Sequence, residues 1–205
     1  FLGGISKNYG TNLLIHTGNV VVAEADEFDR SFLQLFPEIA VITSMDPDHL
    51  DIYGDEAHIR EAFKAFASQV SGTVIIKHGL DITTADTKAK IMTYSYDDPA
   101  ADFHAVLTEG DGTGFTHFDI HHPGGVNIEN AVGASAIALT YGIDPEKIRE
   151  ALASFSGVKR RFDIQLKSER CMYIDDYAHH PREISASLTS IKGNFPDYRL
   201  TAIFQ

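Results

Sequence analysis

The stretch Ile39 to Lys77, IAVITSMDPDHLDIYGDEAHIREAFKAFASQVSGTVIIK, decides the fold. It opens on IAVITS (Ile39 to Ser44) and closes on TVIIK (Thr73 to Lys77), β-branched runs that are nearly continuous rather than alternating. A strand that is apolar at almost every position must be covered on both faces, as in a parallel sheet flanked by helices. Between the two runs, Asp55 to Val70 sets Ile59, Ala62, Phe63 and Phe66 at helical spacing, with Asp55 standing where an N-cap belongs. Strand, helix and strand in that order make a β-α-β unit, and they predict an α/β fold with a mostly parallel sheet.

Working outward, VVVAE (Val20 to Glu24) and the opening FLGGI read as further buried strands. Downstream, ADFHAVLTEGDGTGFTHFDIHH (Ala101 to His122) places two extended runs around Gly110 to Gly114 and predicts a β-hairpin insertion. Two helices follow Pro123-Gly124-Gly125, over Asn127 to Tyr141 and Pro145 to Phe155; Asp144 caps the second and Pro145 takes its first position. From Gly157 the pattern restarts: RRFDIQLK and CMYIDD read as strands, Pro181 to Ile191 as a helix and YRLTAIF as a third strand. We therefore expect a central domain over residues 1–157 and the beginning of a second, Rossmann-like domain over 158–205, with the boundary near Gly157 to Arg161. Both ends read as cut inside a sheet.

With 205 residues the chain can bury a core without disulfides or zinc. Its 17 basic and 29 acidic residues give a net charge of −12, which opposes binding to nucleic acid or an anionic membrane. No apolar run is long enough to span a bilayer. The single cysteine, Cys171, and the lack of a visible signal peptide point to a reducing cytoplasm.

Five clusters carry chemistry. Glu24, with Asp26 and Glu27, follows the VVVAE run, where a carboxylate at a sheet's carboxyl edge can hold Mg²⁺; the plainer reading is an exposed acidic loop. Asp46, Asp48, His49 and Asp51 follow IAVITS and suit a divalent cation or an oriented imidazole, against a Pro-containing turn. Asn127 and Asn130 share one helix face and offer donors and acceptors to a purine edge, against an ordinary cap. Arg160-Arg161 can grip phosphate, against a solvated surface pair. Asp175-Asp176-Tyr177-Ala178-His179-His180-Pro181 joins carboxylates, a phenol and imidazoles at a strand end, a plausible polar substrate site. His104, His117, His121 and His122 fall on the expected hairpin and are set aside, as is GDGTG, a turn without the lysine of a phosphate loop.

Taken in order and spacing, EADEFDRSFLQLFPEIAVITSMDPDHLDIYGD, PGGVNIENAVGASAIAL, FSGVKRRFD and YIDDYAHHP resemble the Mur ligases over nearly the whole chain, most closely those that couple L-alanine to UDP-N-acetylmuramate. The resemblance implies a central ATPase domain entered just after its phosphate loop, followed by the start of the C-terminal domain. It implies ATP and Mg²⁺ as cofactors, with UDP-N-acetylmuramate and L-alanine as partners. Glu24 and His49 would be the metal ligands, and Asn127 and Asn130 would lie against adenine. Arg161 would meet ATP phosphate, Asp176 the ribose, and Tyr177 and His179 the incoming amino acid, with Arg161 and His179 carrying catalysis. The implied reaction makes an acyl phosphate of the muramoyl carboxylate, which the amine then attacks to give an amide in peptidoglycan precursor synthesis.

Ser44 stands where many members carry Asn, and the phosphate-loop Lys and Ser/Thr are not in the sequence. We accordingly expect the 205-residue polypeptide alone to lack ligase activity. A ligase that adds an intact tripeptide to the same sugar, a metal-dependent phosphoesterase and a noncatalytic nucleotide-binding module stay open as alternatives. So does the oligomeric state, a homodimer included.

Overall fold

A computed structural model describes residues 1–47, 50–105, 114–115, 118–119 and 125–204. The β-α-β unit is present as read. Strand β1 (Ile39–Ile42) leads through a short helix α1 (Leu50–Tyr53) and the longer α2 (Glu56–Gln69) to β2 (Thr73–Lys77). Asp55 caps α2, its side chain accepting the His58 amide at 3.0 Å. β3 (Lys90–Ser95) and the two-residue β4 (Phe103–His104) complete a sheet in the order β1-β2-β3-β4, every neighbour parallel.

The strands alternate between two cores, which explains their continuous apolar runs. Ala40, Ile42, Val74 and Ile76 face α2, meeting Ile59, Ala62, Phe66 and, from two short 3-10 turns over Phe28–Gln34, Phe32. Ile39, Val41, Ile75, Met92 and Tyr94 face helix α3 (Gly125–Tyr141) through Ile128, Ala131, Val132 and Ala136. Helix α3 ends in a Schellman closure: Ile143 N–H donates to Ala138 O, Gly142 N–H donates to Leu139 O, and Gly142 takes φ 94°. Helix α4 (Pro145–Ser154) follows with the expected cap, Asp144 accepting the Glu146 amide at 2.8 Å.

Several expectations are corrected. Val20–Glu24 is not a strand: Val21 and Val22 are exposed, and two hydrogen bonds with Phe1 are too few for a ladder. The opening FLGGI is largely exposed and joins no strand among the described residues; the bridge beside it pairs the next residue, Ser6, with Val158. Phe103–His104 pairs with β3 instead of forming a hairpin arm. The antiparallel pair that does form, β5 (Gly114–Phe115) with β6 (Phe118–Asp119), starts at the last glycine of the expected turn, and residues 106–113 and 116–117 are outside the described residues. Beyond α4, β7 (Asp163–Lys167) and β8 (Met172–Asp175) pair antiparallel and lead to α5 (Pro181–Asn194). The final YRLTAIF stretch is not a strand, with Ile203 97% exposed and no ladder beside it among the described residues.

The segment 157–163 is anchored to the chain's first residues. Lys7 N–H donates to Gly157 O, Lys159 N–H donates to Ile5 O, and the Lys7 ammonium sits 2.6 Å from the buried Asp163 carboxylate. The Lys7 hydrogen bond, against the opposing effect of burial and with help from the Arg160 amide, holds Asp163 below the ordinary carboxylate range.

Candidate active site

Open parallel sheets leave their ligand crevice at the carboxyl ends of the strands. At that end of β1 lies a cleft of about 310 Å³. Its polar rim includes Glu27, Ser44, Asp46, Tyr53, His180 and Glu183, over an apolar floor that includes Phe32 and Phe63. Three of the five clusters read from the sequence thus converge: the loop after Val20–Glu24, the loop after β1, and the approach to α5. The Tyr53 hydroxyl donates to Glu27 O at 2.6 Å, and the Arg30 guanidinium lies 5.1 Å from the Tyr53 ring centre. Burial raises the Tyr53 phenol, only partly offset by Arg30, so it remains a donor. Asp29 and Arg30 hold this loop with left-handed backbones, φ 48° and 65°.

Glu24 is exposed, and its Oε2 accepts the Gly3 amide at 2.8 Å. His49 lies outside the described residues. Among the described residues, which do not include Asp48 and His49, no three His, Cys, Asp or Glu side chains are grouped to hold a metal ion. One accessible carboxylate does fit Mg²⁺ carried on a nucleotide, which takes one or two carboxylates and completes its shell with phosphate and water.

The densest cluster joins the turn before β7 to the loop after β8. Tyr177 N–H donates to Arg160 O at 2.7 Å, bringing the two segments together. The guanidinium carbons of Arg160 and Arg161 then lie 4.8 and 5.7 Å from the Tyr177 ring centre, and the His179 ring meets Tyr177 edge-on at 5.3 Å. Arg160 takes φ 60° and Phe162 φ 47°, a strained turn that the Asp163 carboxylate ties by accepting the Arg160 amide. Asp176 accepts from Ser187 at 2.7 Å and from the Ala178 amide at 3.2 Å, so its carboxylate is oriented by α5.

Glu183 organises this corner. It accepts the amides of His179 and His180 at 3.2 and 3.4 Å, and its other oxygen lies 3.4 Å from Arg161 Nη1. Burial pushes the carboxyl up, but those two amides and the Arg161 and His179 charges outweigh it and leave Glu183 below the usual glutamate range. The sequence reading passed over this residue although a signal was there. His180-Pro181-Arg182-Glu183 is half of a capping box, with Pro at the first helical position and Glu reaching back from the third.

The first turns of α3 stand at the same sheet edge, because Lys77, the last residue of β2, pairs with Glu129 at 2.9 Å. Asn127 is half-buried and Asn130 exposed on one flank of the helix, and α3 also touches α5. The structure therefore brings Arg161, Tyr177 and His179 into contact, sets Asp176 beside them, and places Asn127 and Asn130 on the helix that runs to the same region. Lys77 and Glu129 are further residues the sequence reading missed. Their separation of 52 positions left no local signal.

These features define an α/β fold with a polar cluster at the carboxyl edge of its parallel sheet. Residues 12–138 match the Mur ligase middle domain, and the chain belongs to the Mur ligase family. The UDP-N-acetylmuramate--L-alanine ligases of Phocaeicola vulgatus and Flavobacterium psychrophilum are 44% and 43% identical across the full chain. The chain spans about half the length of these relatives, 48% and 47%. Among solved structures, the UDP-N-acetylmuramate-alanine ligase MurC of Thermotoga maritima superposes over 84% of this chain and 42% of its own, with TM-score 0.66 and 25% identity. MurF of Acinetobacter baumannii, at 22% identity and TM-score 0.65 over 80% of this chain and 39% of its own, shares the fold.

Proposed function

We propose that this chain contributes the nucleotide- and amino-acid-facing surfaces of an ATP-dependent ligase that joins L-alanine to UDP-N-acetylmuramate in peptidoglycan precursor synthesis, in the cytoplasm. The observation that carries this reading is the meeting of Arg161, Tyr177, His179 and Glu183 at the start of α5, on the rim of the cleft that Ser44 and Asp46 line. The identity to the two alanine ligases supports the substrate pair. Residues 1–157 would form the ATP-binding part and 158–205 the start of the amino-acid-binding part.

In this reading Glu24, with His49, would hold Mg²⁺, which when bound would supply positive charge against the transferred phosphoryl group. Arg161 adds its guanidinium to that charge, and Glu183 fixes the direction of the guanidinium in advance, so little reorganisation is needed during transfer. Asn127 and Asn130 present carboxamides to adenine, and the Asp176 carboxylate, oriented by Ser187, accepts from the ribose. Tyr177 walls the amino-acid position and keeps water from an activated carboxylate. The His179 imidazole takes the proton that an attacking ammonium must lose.

The test is phosphate release by the polypeptide of the whole reading frame that carries this sequence, supplied with ATP, Mg²⁺ and UDP-N-acetylmuramate. Release that depends on L-alanine is expected. Release only with a tripeptide would transfer the same site to precursor recycling, and release with neither would overturn the ligase reading.

A further inference from the structure

We propose that Lys77 is a positioning residue for nucleotide binding: its ion pair with Glu129 fixes the rotation of α3 and so aims the Asn127 and Asn130 flank at the adenine. The proposal rests on the reading of those two asparagines given above. Successive residues turn about 100° around a helix, so Asn127 and Asn130 lie within about 60° of each other, while Glu129 lies about 200° from Asn127, on the opposite flank. The buried residues Ile128, Ala131 and Val132 fall between these flanks and face the sheet.

Apolar contacts of that kind set which face of the helix is buried but are themselves non-directional. A charge pair on one flank adds a directional contact that fixes the azimuth more finely. Lys77 supplies one from a rigid place, the last residue of a strand hydrogen-bonded on both sides. Its ammonium is 2.9 Å from Glu129 Oε2, and the Glu129 side chain is only 17% exposed, so the pair is partly shielded from water.

One turn further along the same flank, Gly133 lies against Tyr94. A Cβ there would come within 3.3 Å of the Tyr94 ring, which is wholly buried and whose hydroxyl has no partner among the described residues. Lys77 with Glu129 and Tyr94 with Gly133 thus form two successive contacts on one side of α3. Asn127 lies across the helix from Glu129, so the Lys77 contact sets its azimuth most directly.

The experiment is direct binding of ATP, by calorimetry, to the polypeptide of the whole reading frame with Lys77→Met, Lys77→Arg, Glu129→Gln and Asn130→Ala substitutions, alongside thermal unfolding and the KM for L-alanine. Lys77→Met and Glu129→Gln are each expected to weaken ATP about fivefold to tenfold, equivalent to roughly 1 to 1.4 kcal/mol. Lys77→Arg should restore most of the loss, and the KM for L-alanine should stay within about twofold. A lower Tm with unchanged ATP affinity in Lys77→Met would make the pair merely structural and overturn the proposal. If Asn130→Ala weakens ATP and Lys77→Met does not, this inference fails alone. If Asn130→Ala has no effect, the adenine reading of α3 fails with it.

Discussion

Arg161 and Glu183 show how one exposed cation becomes a directed one. The guanidinium is half-exposed, and in water such a pair contributes little stability. Its value is geometric, since Glu183 is already tied down by two backbone amides. Arg161→Ala is expected to lower kcat about 10²- to 10³-fold while leaving the fold intact, as for loss of one preorganised donor to a developing charge; steady-state kinetics and circular dichroism check both halves. The same carboxylate makes stability depend on acid. Its folded pKa lies below the ordinary 4.5, so its stabilisation is fully present above that value and disappears as pH falls through the folded pKa. Thermal unfolding of wild type and Glu183→Gln should therefore separate above about pH 4.5 and converge in stronger acid. Tyr177 and His179 drew attention because polar residue types follow a strand, and Arg161 because a guanidinium stands at the expected domain boundary; the structure brings the three together. Lys7 with Asp163 was not, because 156 positions separate the partners and only the folded chain joins them.

Helix α2 was legible almost to the residue, since spacing, cap and burial agree: Ile59, Ala62 and Phe66 are buried and Asp55 caps. Phe66 also lies 5.2 Å from Phe32, so the helix holds the 3-10 turns that carry the Glu27 loop to the cleft. Phe66→Ala should cost about 3–5 kcal/mol through the cavity it opens. A denaturation midpoint shifted by less than about 1 kcal/mol would contradict that packing. The strand readings at Val20–Glu24 and Tyr198–Phe204 failed for one physical reason. A β-branched run is a strand only when a partner edge accepts its backbone, and sequence reports the propensity without the partner. In the sheet itself, β2 has β1 on one side and β3 on the other, while the backbone of the Val20 run makes two hydrogen bonds with Phe1 and joins no ladder among the described residues.

For the molecule as a whole, a parallel sheet buried on both faces leaves its carboxyl edge as the natural place for chemistry, and the candidate residues gather on that side. The net charge of −12 makes the local arrangement of Arg160 and Arg161 matter more, because the mean field of the chain repels phosphate. No helix among the described residues is long and apolar enough to cross a membrane. The fold class was readable from one β-α-β stretch, and most of the candidate centre from four short motifs. What stayed hidden were the side-chain pairs that orient those motifs, since each joins segments distant in sequence. The most direct test is incorporation of isotopically labelled L-alanine into UDP-N-acetylmuramate, followed by mass spectrometry of the product made by the whole reading frame's polypeptide with ATP and Mg²⁺. We expect a labelled amide product that falls sharply with Arg161→Ala and with Tyr177→Ala. A folded wild-type polypeptide that yields no labelled amide, or two folded variants that yield as much as wild type, would show that this cluster is not the centre of a ligase.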